Sequence, residues 1–260
     1  MKTVWTANSP RSKASRPCPG RGDISMLSLL NEMEASLVPF KNIVTHEHIR
    51  RPTLPGAIDL GIKDTGEKAY QRAFFLARKT RIKGSLLGDI DASWLDIEVP
   101  VVNSNISRRS CLDMIGMVKG VPSMIVELKD DSRESPFQAL HEVLSYGQCA
   151  SKNCLDLKSR ARVTASGKSI AVSAYWPQYR GQYLVVGGPD NYWRRWENHF
   201  SVIAAAGVRW LADSELKGHH LMFVAYAGED FKKQKGVLAE YTPHPMACDW
   251  RVLFEARCPA

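Results

Sequence analysis

Short apolar runs, bounded by glycine, proline and charged residues, alternate with longer amphipathic stretches along much of the chain. Runs with the apolar content of β-strands occupy 94–102, 110–118, 123–129, 183–188 and 221–228. Helical periodicity and capping signals predict helices from Asp23 to about Val38, from Pro136 to about Cys149, and over 191–207. Residues 69–87 fit either a basic helix or a strand-like segment. The predicted order is helix, three strands, helix, strand, helix, strand.

The segment Lys119-Gly-Val-Pro122 lies between two of the predicted strands and carries the Gly and Pro of a tight connection. A β-hairpin over 110–118 and 123–129 is the simplest interpretation. Residues i and i+2 of a strand share a face, so the side chains of Glu127 and Lys129 point the same way. The neighbouring strand brings Asp113 beside them.

The short pattern acid-any-lysine carries little information alone, because the chain has four copies of it. Only Glu127-Leu-Lys129 ends a β-rich apolar run that follows, across a turn, a second run with its own acid. An ordinary strand end that reaches water, or a cross-strand ion pair between Asp113 and Lys129, is the alternative. Three charges that converge from apolar strands argue against it, since unpaired buried charge is costly.

The carboxylates of Asp113 and Glu127, with the backbone carbonyl of Leu128, form a plausible oxygen-ligand set for Mg²⁺ or Mn²⁺. A metal in such a site lowers the pKa of bound water and neutralises charge that develops on a phosphate. A neighbouring lysine, here Lys129, can orient or deprotonate the nucleophile and stabilise the transition state. This chemistry suits hydrolysis of a phosphodiester.

The arrangement "RRSCLDMI…MIVELK", followed by a helix, resembles the motif of the PD-(D/E)XK nuclease superfamily. The resemblance covers about 24–188, and implies an α/β fold with a restriction-endonuclease-like core (αβββαβ), a central mixed sheet flanked by helices. It implies that Asp113 and Glu127 bind the metal and that Lys129 is catalytic. Many members add a glutamate from the first core helix, and Glu34, which interrupts an apolar stripe, is the matching candidate. The proline that usually precedes the aspartate is missing here.

Many members also carry a Gln-x-x-x-Tyr pair on the helix after the lysine. Here that register reads Glu142-Val-Leu-Ser-Tyr146, so an acid replaces the usual glutamine. Gln138, one turn earlier, is a substitute on the same face. We expect Gln138 and Tyr146 to contact nucleic acid, together with Arg108 and Arg109, which come just before the predicted strand at 110–118.

Composition and charge add a domain organisation and a class of partner. The chain has 260 residues, 44% of them hydrophobic, and a net charge of +8, which permits a polyanionic partner. Residues 1–23, rich in Pro, Gly, Ser and Arg, predict a disordered basic tail, and 24–260 a single nuclease-like domain with a C-terminal elaboration. Six cysteines without disulfide spacing, and no apolar run of membrane-spanning length, predict a cytoplasmic protein that binds no membrane.

The expected function is therefore metal-dependent hydrolysis of nucleic acid, and a DNA endonuclease is the first hypothesis. A catalytically inactive protein of the same fold, which binds nucleic acid or a protein partner, is the alternative. A third hypothesis is a ligand-binding or partner-binding α/β protein in which the charges are incidental. A homodimer is compatible with the sequence.

Overall fold

The computed structural model describes 67–101, 110–130, 134–153, 161–163, 169–171, 181–227 and 249–258. The tail at 1–23, the predicted helix from Asp23 with Glu34, and Arg108 and Arg109 lie outside these described residues. The α-helices are α1 (Glu67–Ala77), α2 (Pro136–Asn153), α3 (Asp190–Arg195) and α4 (Phe200–Asp213). The strands are β1 (Lys79–Lys83), β2 (Ile90–Val101), β3 (Ser110–Val118), β4 (Val121–Leu128), β5 (Ala161–Val163), β6 (Ser169–Ala171), β7 (Tyr183–Pro189), β8 (His220–Tyr226) and β9 (Asp249–Arg257).

The predicted hairpin is confirmed, and so is the tight connection between its strands. β3 and β4 pair antiparallel through a turn in which Lys119 and Gly120 both have positive φ, 52° and 76°. Two consecutive residues with positive φ produce a turn whose twist matches that of the flanking strands. The predicted helix after Ser135 is also confirmed as α2, and β4 pairs parallel with β7 further along the chain.

The predicted restriction-endonuclease-like sheet is wrong, because the main sheet closes into a seven-stranded mixed barrel. Its strands follow the order β1-β2-β3-β4-β7-β8-β9, while β5 and β6 form a separate two-stranded sheet. The physical cause is β9, a strand that the apolar pattern did not predict. β9 pairs antiparallel with β8 and parallel with β1, so it joins the two edges that an open sheet would leave unpaired.

Helices cover both faces of the barrel wall. One buried cluster packs α2 and α4 against the wall with residues such as Leu140, Trp210 and Phe223. The other holds Phe74 and Phe75 of α1 against the opposite face. The strands β7 and β8 are buried along their whole length, as expected of parallel strands covered on both sides.

Aromatic contacts fasten α1 to the strand that closes the barrel. The ring of Trp250 on β9 lies 4.9 Å from that of Phe74, 5.4 Å from that of Trp94 and 5.8 Å from that of Tyr226. α1 ends at Arg78, whose positive φ of 66° turns the chain into β1. Trp250 thus connects barrel closure to the position of α1.

Among the described residues, no helix has both the length and the apolar character needed to cross a membrane.

Replacing Trp250 by alanine should destabilise the protein by about 3–5 kcal/mol, because the change removes a fully buried indole and leaves a cavity between α1 and β9. Urea denaturation measures the change in the free energy of unfolding. The control is Arg251→Ala on the same strand: this side chain is 52% exposed and makes a surface ion pair with Asp190, so its loss should cost less than about 1 kcal/mol. Equal effects of the two changes would contradict the packing described for β9.

Candidate metal centre

The strands of the hairpin separate where their charged residues begin. The last backbone pair between them is Met114 with Val126, and Asp113 and Glu127 are the next residues on each strand. The backbone N–H of Leu128 donates instead to Oδ2 of Asp113, at 2.7 Å. The aspartate carboxylate therefore lies at the end of the ladder, where both predicted acids are buried.

The third carboxylate belongs to Glu67, in the first turn of α1. One ligand oxygen from each of Glu67, Asp113 and Glu127 lies within 4.8 Å of the others. Oxygen ligands around a Mg²⁺ ion lie roughly 3–4 Å apart, since each is about 2.1 Å from the metal. The three carboxylates therefore fit a divalent cation after a small contraction.

Lys129 lies among these acids, and its side chain is only 3% exposed. Its backbone is held on both sides: the N–H donates to the carbonyl of Gly187 at 2.7 Å, and the carbonyl accepts from the Tyr226 hydroxyl at 3.0 Å. Four carboxylate oxygens surround the ammonium nitrogen, from Glu127 at 2.9 Å, Glu134 at 3.0 Å, Glu142 at 3.3 Å and Glu67 at 3.4 Å. The pair predicted from Glu127 and Lys129 is thus part of a larger ion-pair network.

Burial alone would lower the pKa of Lys129, but its attraction to Glu127, Glu67 and the other carboxylates outweighs burial and raises that pKa. Lys129 therefore remains an ammonium at neutral pH. It can donate hydrogen bonds and stabilise negative charge, but it cannot take a proton from a water molecule. Of the two roles expected for this lysine, the network supports charge stabilisation rather than general-base catalysis.

The pKa values of the carboxylic acids in the cluster shift in opposite directions. Burial raises the pKa values of Asp113 and Glu127 well above the ordinary range, and repulsion from neighbouring carboxylates adds to that rise. Burial also raises the pKa of Glu67, to about 7, although Lys129 opposes it. Burial alone would raise the pKa of Glu142, but attraction to Lys129 and a hydrogen bond from Gln138 outweigh burial and lower that pKa. The cluster carries more carboxylate than its lysine can neutralise, which is the electrostatic condition that favours a bound cation.

One carboxylate oxygen of Glu127 has no hydrogen-bond donor among the described residues. Oε1 of Glu127 accepts from Lys129, whereas Oε2 is buried and meets no hydrogen-bond donor among the described residues. A buried carboxylate oxygen without a donor is destabilising unless a proton or a cation reaches it.

The other predicted residues have different outcomes. Gln138 is exposed and donates to Glu142 at 3.1 Å, at the edge of the cluster. Tyr146 is 8% exposed and packs in the buried cluster that contains α2. Burial, and then repulsion from Glu127, raises the pKa of its hydroxyl. Contact of Gln138 and Tyr146 with nucleic acid, and a role for the Leu128 carbonyl, stay predictions.

Glu67, Glu134 and Gln71 join the cluster although the sequence interpretation did not select them. Glu67 and Gln71 lie one helical turn apart just before the apolar stripe of α1. This spacing is a usable signal once 67–77 is known to be a helix. The interpretation instead placed Glu67 in an irregular stretch over 39–70, which was wrong for its last residues, and selected Glu34 as the helical acid.

Glu67→Gln should stabilise the metal-free protein by about 2 kcal/mol at pH 8 and have little effect at pH 4. The folded chain holds a proton on Glu67 up to about pH 7, whereas the usual value is 4.5, so stability falls as the pH rises through that window. Glutamine resembles the protonated form and removes this loss. Urea denaturation with EDTA at both pH values measures it, and Glu197→Gln, at an exposed carboxylate, is the control. Stabilisation at pH 4 alone would contradict the raised pKa.

No protein-family model matches the chain, and searches of curated proteins and of solved structures find no match. A function for the chain is therefore inferred from the geometry and electrostatics of the carboxylate–lysine cluster.

Proposed function

We propose that the chain is a metal-dependent phosphodiesterase acting on nucleic acid, with DNA as the first substrate to test. The observation that carries the proposal is the convergence of three carboxylates from α1, β3 and β4 within 4.8 Å, beside a buried ammonium. Carboxylate oxygens are the ligands that Mg²⁺ and Mn²⁺ prefer. The order of Asp113, Glu127 and Lys129 also supports a proposed relation to the PD-(D/E)XK nucleases at the level of the site.

Glu67, Asp113 and Glu127 would hold the ion. When bound, the ion would supply Lewis-acid chemistry: it would lower the pKa of a coordinated water and offset charge on the phosphate. In hydrolysis, a water oxygen forms a bond to phosphorus, the bond from phosphorus to one ester oxygen breaks, and that oxygen takes up a proton. Lys129, as an ammonium, would stabilise the negative charge that develops on the phosphate oxygens.

A specific observation favours a second candidate, a non-catalytic binding protein. Lys129 contacts four carboxylates at once. A network of this kind can have a purely structural role, in which it joins α1, β4 and the region around α2. In that case the acids neutralise the lysine rather than hold a divalent ion. The two candidates differ in whether Mg²⁺ or Mn²⁺ binds.

In 5–10 mM Mg²⁺ or Mn²⁺ the protein should cleave plasmid or single-stranded DNA, and Asp113→Asn, Glu127→Gln and Lys129→Met should each lower the rate by about 10²–10⁴-fold. Gel assays of initial rates measure this, with EDTA as the metal-free reference. Lys217→Met is the matched control, because Lys217 belongs to a second acid-any-lysine pattern and lies on the surface. If all four variants cleave like the unmodified protein, the cluster has no part in the reaction.

Affinity for Mn²⁺ should increase by at least about fivefold from pH 6 to pH 7. Below its pKa of about 7, Glu67 keeps a proton that the metal must displace. Isothermal titration calorimetry in two buffers of different ionisation enthalpy counts the protons released. Glu67→Gln should release fewer protons and flatten the pH dependence. An affinity that is independent of pH in the unmodified protein would argue against binding at these carboxylates.

A further inference from the structure

Gln71 makes the shortest polar contact of the metal cluster, although its side chain is neither an acid nor a base. Its Nε2 lies 2.6 Å from Oδ1 of Asp113 and 3.3 Å from Oε1 of Glu67. The residue is only 2% exposed. One neutral amide therefore connects two of the three candidate metal ligands.

The orientation of this amide follows from its neighbours. Charged carboxylates only accept hydrogen bonds, so when both acids are ionised the NH₂ group faces them and the carbonyl oxygen faces elsewhere. That oxygen, Oε1, is buried and has no hydrogen-bond partner among the described residues. A buried amide oxygen without a donor is destabilising. The fold tolerates this cost at a position where only the donor half of the amide is used.

The contacts of Asp113 show what Gln71 controls. One carboxylate oxygen accepts from the backbone of β4 at Leu128, and the other accepts from Gln71. Lys129, by contrast, forms its ion pairs with Glu67 and Glu127 and with two further glutamates. The rotation of the Asp113 carboxylate thus depends on Gln71, and the same amide group ties it to Glu67 on α1.

We infer that Gln71 is a positioning residue of the metal centre: it holds the carboxylates of Glu67 and Asp113 at the separation and rotation that a small divalent cation requires. This inference rests on the proposed function. Two carboxylates repel each other, and a neutral donor between them keeps both oriented without adding a charge that would compete with the metal. Groups that orient metal ligands in this way typically contribute 10–100-fold to metal affinity.

The inference predicts a change in metal selectivity as well as affinity. Mg²⁺ demands near-ideal octahedral geometry, whereas Ca²⁺ accepts irregular arrangements of more oxygen atoms. Loss of the amide bridge should therefore weaken Mg²⁺ binding more than Ca²⁺ binding. General destabilisation of the fold would weaken both equally.

The test is Gln71→Leu, which keeps the side-chain volume but removes the donor, compared with Gln148→Leu. Gln148 is the matched control because it is also 2% exposed and also has an unpaired Oε1, but lies on α2. Calorimetric titration with Mg²⁺ and with Ca²⁺ should show about 10–100-fold weaker Mg²⁺ binding in Gln71→Leu, a lower Mg²⁺/Ca²⁺ affinity ratio, and unchanged binding in Gln148→Leu. Melting temperatures of both variants measure any general loss of stability.

A further variant, Gln71→Asn, keeps the amide but shortens its reach by one methylene, and should also weaken Mg²⁺ selectively. If Gln71→Leu does not fold, Gln71→Asn alone tests whether Gln71 positions the metal ligands. Mg²⁺ and Ca²⁺ affinities equal to those of the unmodified protein in the Gln71 variants would overturn the role of Gln71 alone. Absence of Mg²⁺ and Mn²⁺ binding in the unmodified protein would instead overturn the proposed function, and this inference with it.

Discussion

The ion-pair network around Lys129 requires several elements of the fold to be in place at once. A buried ammonium is strongly destabilising unless opposite charges replace its hydration, and here four carboxylates do so. Those carboxylates come from α1, from β4, from the chain that leads into α2 and from α2 itself. Each of these elements must therefore be in position before the lysine can be buried.

Barrel closure places α1 in this arrangement. β9 joins the free edges of β1 and β8, and its Trp250 packs on Phe74 of α1. Phe74 also packs on Tyr226, at 4.9 Å between rings, and the Tyr226 hydroxyl holds the backbone carbonyl of Lys129. The aromatic contacts and the charged network are therefore mechanically connected, and a strand far away in sequence positions the carboxylate of Glu67.

The electrostatics of the cluster favour a site in which protons and a cation compete. Burial raises the pKa values of Asp113, Glu127 and Glu67, and the single lysine does not offset this rise. Each of these acids is then neutral through a proton or charged beside a cation.

The sequence by itself determined the local features of the site. The apolar runs predicted the hairpin, the turn at Lys119–Gly120 and the helix after Ser135, because strand alternation and turn and capping preferences act between near neighbours. Asp113, Glu127 and Lys129 were brought together by that same local pairing.

Barrel closure by β9 and the contributions of Glu67 and Gln71 depend instead on contacts between distant segments of the chain. β9 alternates only in part, because Trp250 and Val252 belong to one buried cluster and Phe254 and Ala256 to the other. Its pairing with β1 and β8 closed a sheet that was predicted to stay open. The contributions of Glu67 and Gln71 likewise depend on where α1 docks, at a sequence separation of more than 40 residues from Asp113. Contacts over such separations are set by packing and burial of the whole domain, which no local pattern encodes.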